Sequence, residues 1–293
     1  MFTKGNNKRK ILKIFSIFVI LIPGIFFISF FIFTKIFNIE KQLLYHPTYA
    51  IKPVNSELKN KTEIKSFYAP GKIKLTYWHI KGDKNKPVIV FCHGHYFNVS
   101  YFQNKIAFLS QKGYEVFMLD YRGFGKSKGT PDEKGLYTDI ESFVKYLGKS
   151  GISQNKIVLW GHSLGGGVVT DVASKYRFRG VILEGTFTSI KDIKISAANS
   201  LRSYPSGYFD ILYANYIRAI PITQKFDNSK KIGNISSPLL IIHSKNDEII
   251  PVEMGYKLAK LNPRAELYIS ERGDHDSLGW QNMPILNYLN SLK

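Results

Sequence analysis

The sequence predicts an α/β architecture: a mostly parallel central sheet flanked by helices, preceded by an amino-terminal transmembrane helix. Three observations predict it. From about residue 60 onward, short apolar runs alternate with amphipathic stretches, the pattern of βαβ units. Residues 161–165 read Gly-His-Ser-Leu-Gly between one such run and a helical stretch. Residues 14–33 read IFSIFVILIPGIFFISFFIF, 20 residues without a charge.

That run comes first in the chain. At about 1.5 Å per residue it matches the roughly 30 Å hydrocarbon core of a bilayer. Pro23-Gly24 is tolerated there, because neighbouring groups in a membrane re-satisfy the freed backbone. The rival reading is a cleaved signal peptide. The run exceeds the usual apolar core of about 7–15 residues, and bulky residues follow it with no A-x-A-like site, so an uncleaved anchor is expected. Residues 1–13 form a basic tail with five cations (Lys4, Lys8, Arg9, Lys10 and Lys13), against Lys35, Lys41 and Lys52 after the run. This bias places the tail in the cytoplasm and the rest of the chain on the non-cytoplasmic side. Residues 34–60, with Tyr45-His46-Pro47 and Pro53, read as a membrane-proximal linker.

Residues 61–293 read as one domain. Ile64–Tyr68 and Lys74–Ile80 suit an opening antiparallel pair. Val88–Cys92, Glu115–Leu119, Lys156–Trp160, Gly180–Leu183, Pro238–His243 and Ala265–Ile269 follow as buried strands. Asp139–Leu147 places Ile140, Phe143, Val144 and Leu147 on one helical face, and Gly165–Lys175 and Pro284–Leu292 are further helices. Residues 187–228 break the rhythm. They read either as an ordinary crossover helix with loops or as a lid over a substrate pocket lined by Tyr204, Tyr208, Phe209, Tyr213 and Tyr216. No internal repeat is found, and oligomeric state leaves no mark.

Composition narrows the function. The 293 residues are 44% hydrophobic and 22% charged, which excludes a disordered, collagen-like or coiled-coil chain. One cysteine, Cys92, excludes a disulfide framework and a cysteine-cluster zinc site. The net charge of +19 is mostly lysine scattered among Asn and Ile, with no basic helix, zinc finger or aromatic RNA-binding signature. Nucleic acid is therefore not the expected partner; weak attraction to anionic lipid headgroups is the more economical use of such a surface.

The chemistry centres on Ser163. Gly161 and Gly165 remove the Cβ atoms that would obstruct a sharp strand-to-helix turn, so that the hydroxyl stands above the sheet. A serine needs a general base oriented by a carboxylate. Asp247 follows one apolar strand and His275 the next, at the strand ends where open α/β sheets build their sites. Glu184, at another strand end, is the alternative acid.

Together these motifs resemble the α/β-hydrolase superfamily of serine hydrolases over roughly Ile64 to Lys293. The run FCHGHYFN carries a His-Gly pair after the third strand, LDYRGFGKSKGTPDEKGLYTDI is similar to the loop after the fourth, and HSKNDEIIP and GDHD match the acid and histidine loops. The chain is most similar to membrane-anchored members that include thioesterases removing fatty acyl groups from proteins, esterases, and peptidases. The resemblance implies Ser163, Asp247 and His275 as the triad, with the backbone N–H groups of Leu164 and His95 as the oxyanion hole. His95, Tyr96 and Phe97 are bulky where the family usually carries Asn-Ala-Gly, which alters the entrance.

Several other features carry simpler readings. His93-Gly94-His95 lacks the accompanying ligands of a metal site, so no metal is expected. Gly123-Phe124-Gly125-Lys126-Ser127 lacks the first glycine of a phosphate loop, since position 120 is Asp120. Cys92 is expected in the core. The expected activity is cleavage of an acyl ester or thioester with a lipid-like acyl group, without a cofactor. A peptidase using the same residues and an idle membrane-anchored binding protein are the alternatives.

Overall fold

The computed structural model describes residues 28–30, 32–34, 38–203, 215, 217–277 and 283–292. Its main sheet has eight strands: β2 (Thr62–Ala69), β3 (Ile73–Ile80), β4 (Val88–Cys92), β6 (Glu115–Leu119), β7 (Ile157–His162), β8 (Gly180–Glu184), β9 (Leu239–Ser244) and β10 (Glu266–Ser270). Their spatial order is β10-β9-β8-β7-β4-β6-β3-β2. The β2–β3 and β3–β6 pairs are antiparallel, and every other pair is parallel. The β1 strand (His46–Pro47) pairs in parallel with β5 (Tyr96–Phe97) outside this sheet.

The central strands read as continuous apolar runs because both of their faces are covered. Alternation along them divides the core in two. Val90, Leu159, Val181 and Ile241 face one layer; Phe91, Val158, Trp160, Ile182 and Ile242 face the other. The first layer includes α3 (Glu133–Lys149) and α4 (Leu164–Ala173). The second includes α2 (Gln103–Gln111) and α7 (Met283–Ser291).

All eight main-sheet strands lie where the sequence predicts them, within one or two residues. The first predicted helix begins earlier, at Glu133, because the Asp132 side chain accepts from the Gly135 N–H at 2.8 Å and caps it. Two helices of the domain are not in the sequence reading, α2 and α6 (Val252–Leu261), whereas α5 (Ile190–Ser203) falls in the insertion where one of the two readings expects a crossover helix. In α2 the buried set includes Gln103, Lys105 and Ser110, so polarity hides its inner face. The insertion 187–228 contains α5, but its five predicted lining aromatics, Tyr204, Tyr208, Phe209, Tyr213 and Tyr216, lie outside the described residues.

Residues 38–60, within the stretch read as a linker, pack on the domain. The helix α1 (Ile39–Leu44) and β1 lead into a strap packed on the domain, with Tyr45 and Leu58 buried. Asn98 Nδ2 donates to the carbonyls of Thr48 and Ala50 at 2.7 and 2.9 Å. The Lys52 N–H donates to Ser100 Oγ at 2.9 Å, and the Asn55 N–H to Gln103 Oε1 at 2.7 Å. The reason is visible in retrospect: Tyr45, Ile51, Val54 and Leu58 supply enough apolar surface to dock a segment that prolines make look like a tether. The apolar run 14–33 lies largely outside the described residues; among these, no helix is long and apolar enough to cross a membrane.

Candidate functional site

Ser163 stands in the turn between β7 and α4 with φ 54° and ψ −119°, a conformation L-residues rarely adopt. Its neighbours permit the turn. A Cβ at Gly161 would meet Gly165 O at 2.4 Å, and one at Gly165 would meet Cys92 O at 2.1 Å. The Ser163 N–H donates to Glu184 O at 2.9 Å and its carbonyl accepts from Thr186 Oγ at 2.8 Å, so the backbone is fixed on both sides.

Asp247 follows β9 and His275 follows β10, and parallel strands bring both loops to the end of the sheet that carries Ser163. His275 Nδ1 lies 2.8 Å from Asp247 Oδ2, and its Nε2 lies 2.9 Å from Ser163 Oγ. An ionised carboxylate only accepts, so the proton of the neutral ring sits on Nδ1 and Nε2 is left to accept from the serine hydroxyl. All three residues are buried. Burial alone would raise the Asp247 carboxyl, but hydrogen bonding from His243 and His275 outweighs it and holds the group well below the usual carboxylate range. The Ile249 and Ile250 N–H groups also donate to Asp247 Oδ1, at 3.0 and 2.7 Å. Such an arrangement can take a proton from the serine and stabilise the imidazolium that results.

The Leu164 N–H belongs to the first turn of α4, where helix N–H groups have no partner within the helix. His95 lies in the loop after β4; its carbonyl accepts from the His46 N–H at 2.9 Å. A Cβ at Gly94 would meet the Ser163 Cβ at 3.3 Å, so this loop passes directly beside the serine. Burial, with His46 next in effect, lowers the His95 ring to about 4 and keeps it neutral.

Glu184, the alternative acid, is not on His275. Its carboxylate accepts from Lys105 Nζ at 2.6 Å and Trp160 Nε1 at 2.8 Å, and its Oε2 is 3.7 Å from His162 Nδ1. His162 Nε2 donates to Asp276 Oδ1 at 3.3 Å, which ties the loop carrying His275 back to the elbow. Sequence reasoning missed this network and also missed His243, whose Nε2 is 3.3 Å from Asp247 Oδ2. Only its place at the end of β9, four residues before Asp247, could have signalled it.

The tempting side features have structural roles. His93 is buried, with Nδ1 on Gly94 O at 2.8 Å, and among the described residues it forms no ligand cluster with His95. Gly125 packs on Asp120, and Ser127 Oγ donates to Asp120 O at 2.6 Å, which makes that segment a packed turn. Cys92 is buried beside Tyr121, and burial pushes its thiol up to about 12.

Ser163 opens into a cavity of about 290 Å³. Its walls are overwhelmingly apolar: Leu43 and Leu44 from α1, Leu164, Phe187, Ile190 and Ile193 from α5, and Ile217, Ile220, Ile222, Ile249 and Ile250. Its charged members are already engaged. Glu40 accepts from the Thr223 and Gln224 N–H groups at 2.7 and 2.8 Å, and Lys194 Nζ donates to Ile220 O.

A family model described as serine aminopeptidase, S33, matches residues 83–206. Uncharacterized protein YfhR of Escherichia coli (strain K12) is 32% identical over 221 residues, 71% of this chain and 72% of that one. Lysophosphatidylserine lipase ABHD12 of Danio rerio is 32% identical over 194 residues, 63% of this chain and 50% of that one, so the chain spans about half the length of this relative. Among solved structures, an alpha-beta hydrolase from Vibrio vulnificus superposes with a TM-score of 0.64 at 20% identity, covering 84% of this chain and 88% of the other. An esterase from Pyrococcus furiosus gives a TM-score of 0.61 at 20% identity, covering 79% and 89%. At these identities the two structures establish the fold.

Proposed function

The chain belongs to the α/β-hydrolase superfamily, and from that premise we propose that it is an esterase or lipase-type serine hydrolase that cleaves a lipid-like acyl ester or thioester through Ser163, His275 and Asp247. The observation that carries this reading is the 2.9 Å approach of His275 Nε2 to Ser163 Oγ on the wall of an apolar cavity. The lipase named among its relatives supports the substrate class. The apolar run 14–33 anchors it, with the domain on the non-cytoplasmic side.

The reaction follows from the site. His275 Nε2 takes the hydroxyl proton as Ser163 Oγ bonds to the acyl carbon, and the Leu164 and His95 N–H groups hold the oxyanion. Collapse breaks the bond to the leaving alkoxide or thiolate, which receives the proton from His275. Water then attacks the acyl-Ser163 ester, giving its proton to His275, and a second collapse returns that proton to Ser163 and frees the acid. Asp247 stabilises the imidazolium and remains ionised throughout.

The family model's description favours one alternative, an aminopeptidase. Such an enzyme needs a free carboxylate for the substrate ammonium. Among the described lining residues the carboxylate is Glu40, and its oxygens already accept from Thr223 and Gln224. This observation supports ester cleavage.

Fluorophosphonate labelling of alkali-washed membranes tests the reading. The wild-type chain is expected to label and to stay in the pellet, whereas Ser163→Ala stays in the pellet unlabelled. Equal labelling of the two would remove Ser163 from the mechanism, and release of the chain into the wash would remove the anchor.

A further inference from the structure

We infer that α1 (Ile39–Leu44) sets the acyl-chain length this cavity accepts, with Leu43 as the residue against which the distal carbons of the chain pack. The inference rests on the acyl-hydrolase reading above and adds a specificity-determining element that the superfamily's core motifs do not contain.

A helix of 6 residues is too short to hold itself together in water. It is held by its ties to the site instead. Near its start, Glu40 takes the N–H groups of Thr223 and Gln224, so the helix and the cavity-lining segment Pro221–Ile222 form one unit. At its end, Tyr45 is buried and its hydroxyl donates to Gln224 Oε1 at 3.1 Å. The His46 N–H donates to the carbonyl of His95, the residue proposed to supply an oxyanion donor. The His46 ring stacks on Tyr96 with centroids 4.6 Å apart, and its Nε2 donates to Leu43 O at 3.0 Å. The carbonyl of Leu43 and the loop beside Ser163 are thus joined through a single residue.

Leu43 and Leu44 both line the cavity, but they differ in their surroundings. Leu44 packs against the core, while Leu43 is 53% exposed. An exposed leucine on the wall of an apolar cavity gains most when a chain covers it. It can also be enlarged or trimmed without disturbing the core. The cavity therefore has a wall contributed by the segment that joins the domain to residues 14–33, and the size of residue 43 decides how far an acyl chain extends.

The test measures kcat and KM of the full-length chain on p-nitrophenyl butyrate and p-nitrophenyl laurate, for wild type, Leu43→Trp and Leu43→Ala. Leu43→Trp is expected to lower the laurate-to-butyrate ratio of kcat/KM by about tenfold, mainly through the KM for laurate, and Leu43→Ala to move it the other way. A ratio within twofold of wild type in both variants, or a parallel loss on both esters, overturns the inference. If the wild-type chain cleaves neither ester and takes no fluorophosphonate, the reading beneath it falls as well.

Discussion

Asp247 is the residue whose role the geometry makes most specific. It receives the Nδ1 proton of His275 on one oxygen and two backbone N–H groups on the other, so it can neither rotate nor change partners cheaply. An amide here would offer an N–H to Nδ1 and favour the tautomer with the proton on Nε2, which points a donor at the serine. Asp247→Asn is therefore expected to lower kcat on p-nitrophenyl butyrate by about 10⁴. A loss below tenfold would show that Asp247 does not set the tautomer. The proximity of Asp247 and His275 was legible in the sequence because each follows an apolar strand of a parallel sheet, and such strands deliver their loops to one end. The sequence reading takes Asp247 over Glu184, but what engages Glu184 instead was not legible. Lys105, 79 residues from Glu184, satisfies that carboxylate, and a contact so distant leaves no local pattern.

At the scale of elements, the elbow is the part most tightly specified by local chemistry. Its positive φ at Ser163 is held by the close approach of α4 to the ends of β4 and β7, and that approach leaves no room at Gly165. A Cβ there would lie 2.1 Å from Cys92 O and 2.7 Å from His93 O, both backbone atoms that move only with the central sheet. Gly165→Ala is expected to destabilise the protein by about 3 kcal/mol, read by urea unfolding, and to abolish fluorophosphonate labelling. Unchanged stability would mean that the elbow can relax. Strands were read accurately because a strand buried on both faces is apolar throughout, as Val88–Cys92 is. Helices were read less well, since α2 buries Ser110 and presents Gln103 and Lys105 to the interior with partners drawn from distant segments. The docking of residues 38–60 leaves no local pattern for the same reason: its hydrogen bonds run to Asn98, Ser100 and Gln103, about 50 residues away.

At the scale of the whole molecule, two cores around one sheet enclose several ionisable groups, and their burial ties stability to pH. Burial lowers His93 to about 3 and His95 to about 4, and it lowers His162 as well. An unfolded imidazole titrates near about 6.5, so below that pH the unfolded chain binds protons that the folded one refuses, and stability is lost as pH falls toward about 4. Asp120 works in the opposite direction. Burial raises it to about 7 despite the hydrogen bond from the Val99 N–H, so its contribution is fully present below about pH 4 and is lost as pH rises through about 7. Asp120→Asn keeps an oxygen for the Val99 N–H, which donates to Oδ1 at 2.8 Å. Oδ2 has no partner among the described residues, so the amide replaces one unpaired group with another. The variant is expected to melt about 5 °C above wild type at pH 8, with the difference narrowing to about 2 °C at pH 5. A pH-independent difference between the two proteins would show that Asp120 does not carry the titration. If the difference instead grew toward acid pH, the histidines facing Asp120, beginning with His93 at 4.0 Å, would be the groups that respond to its removal.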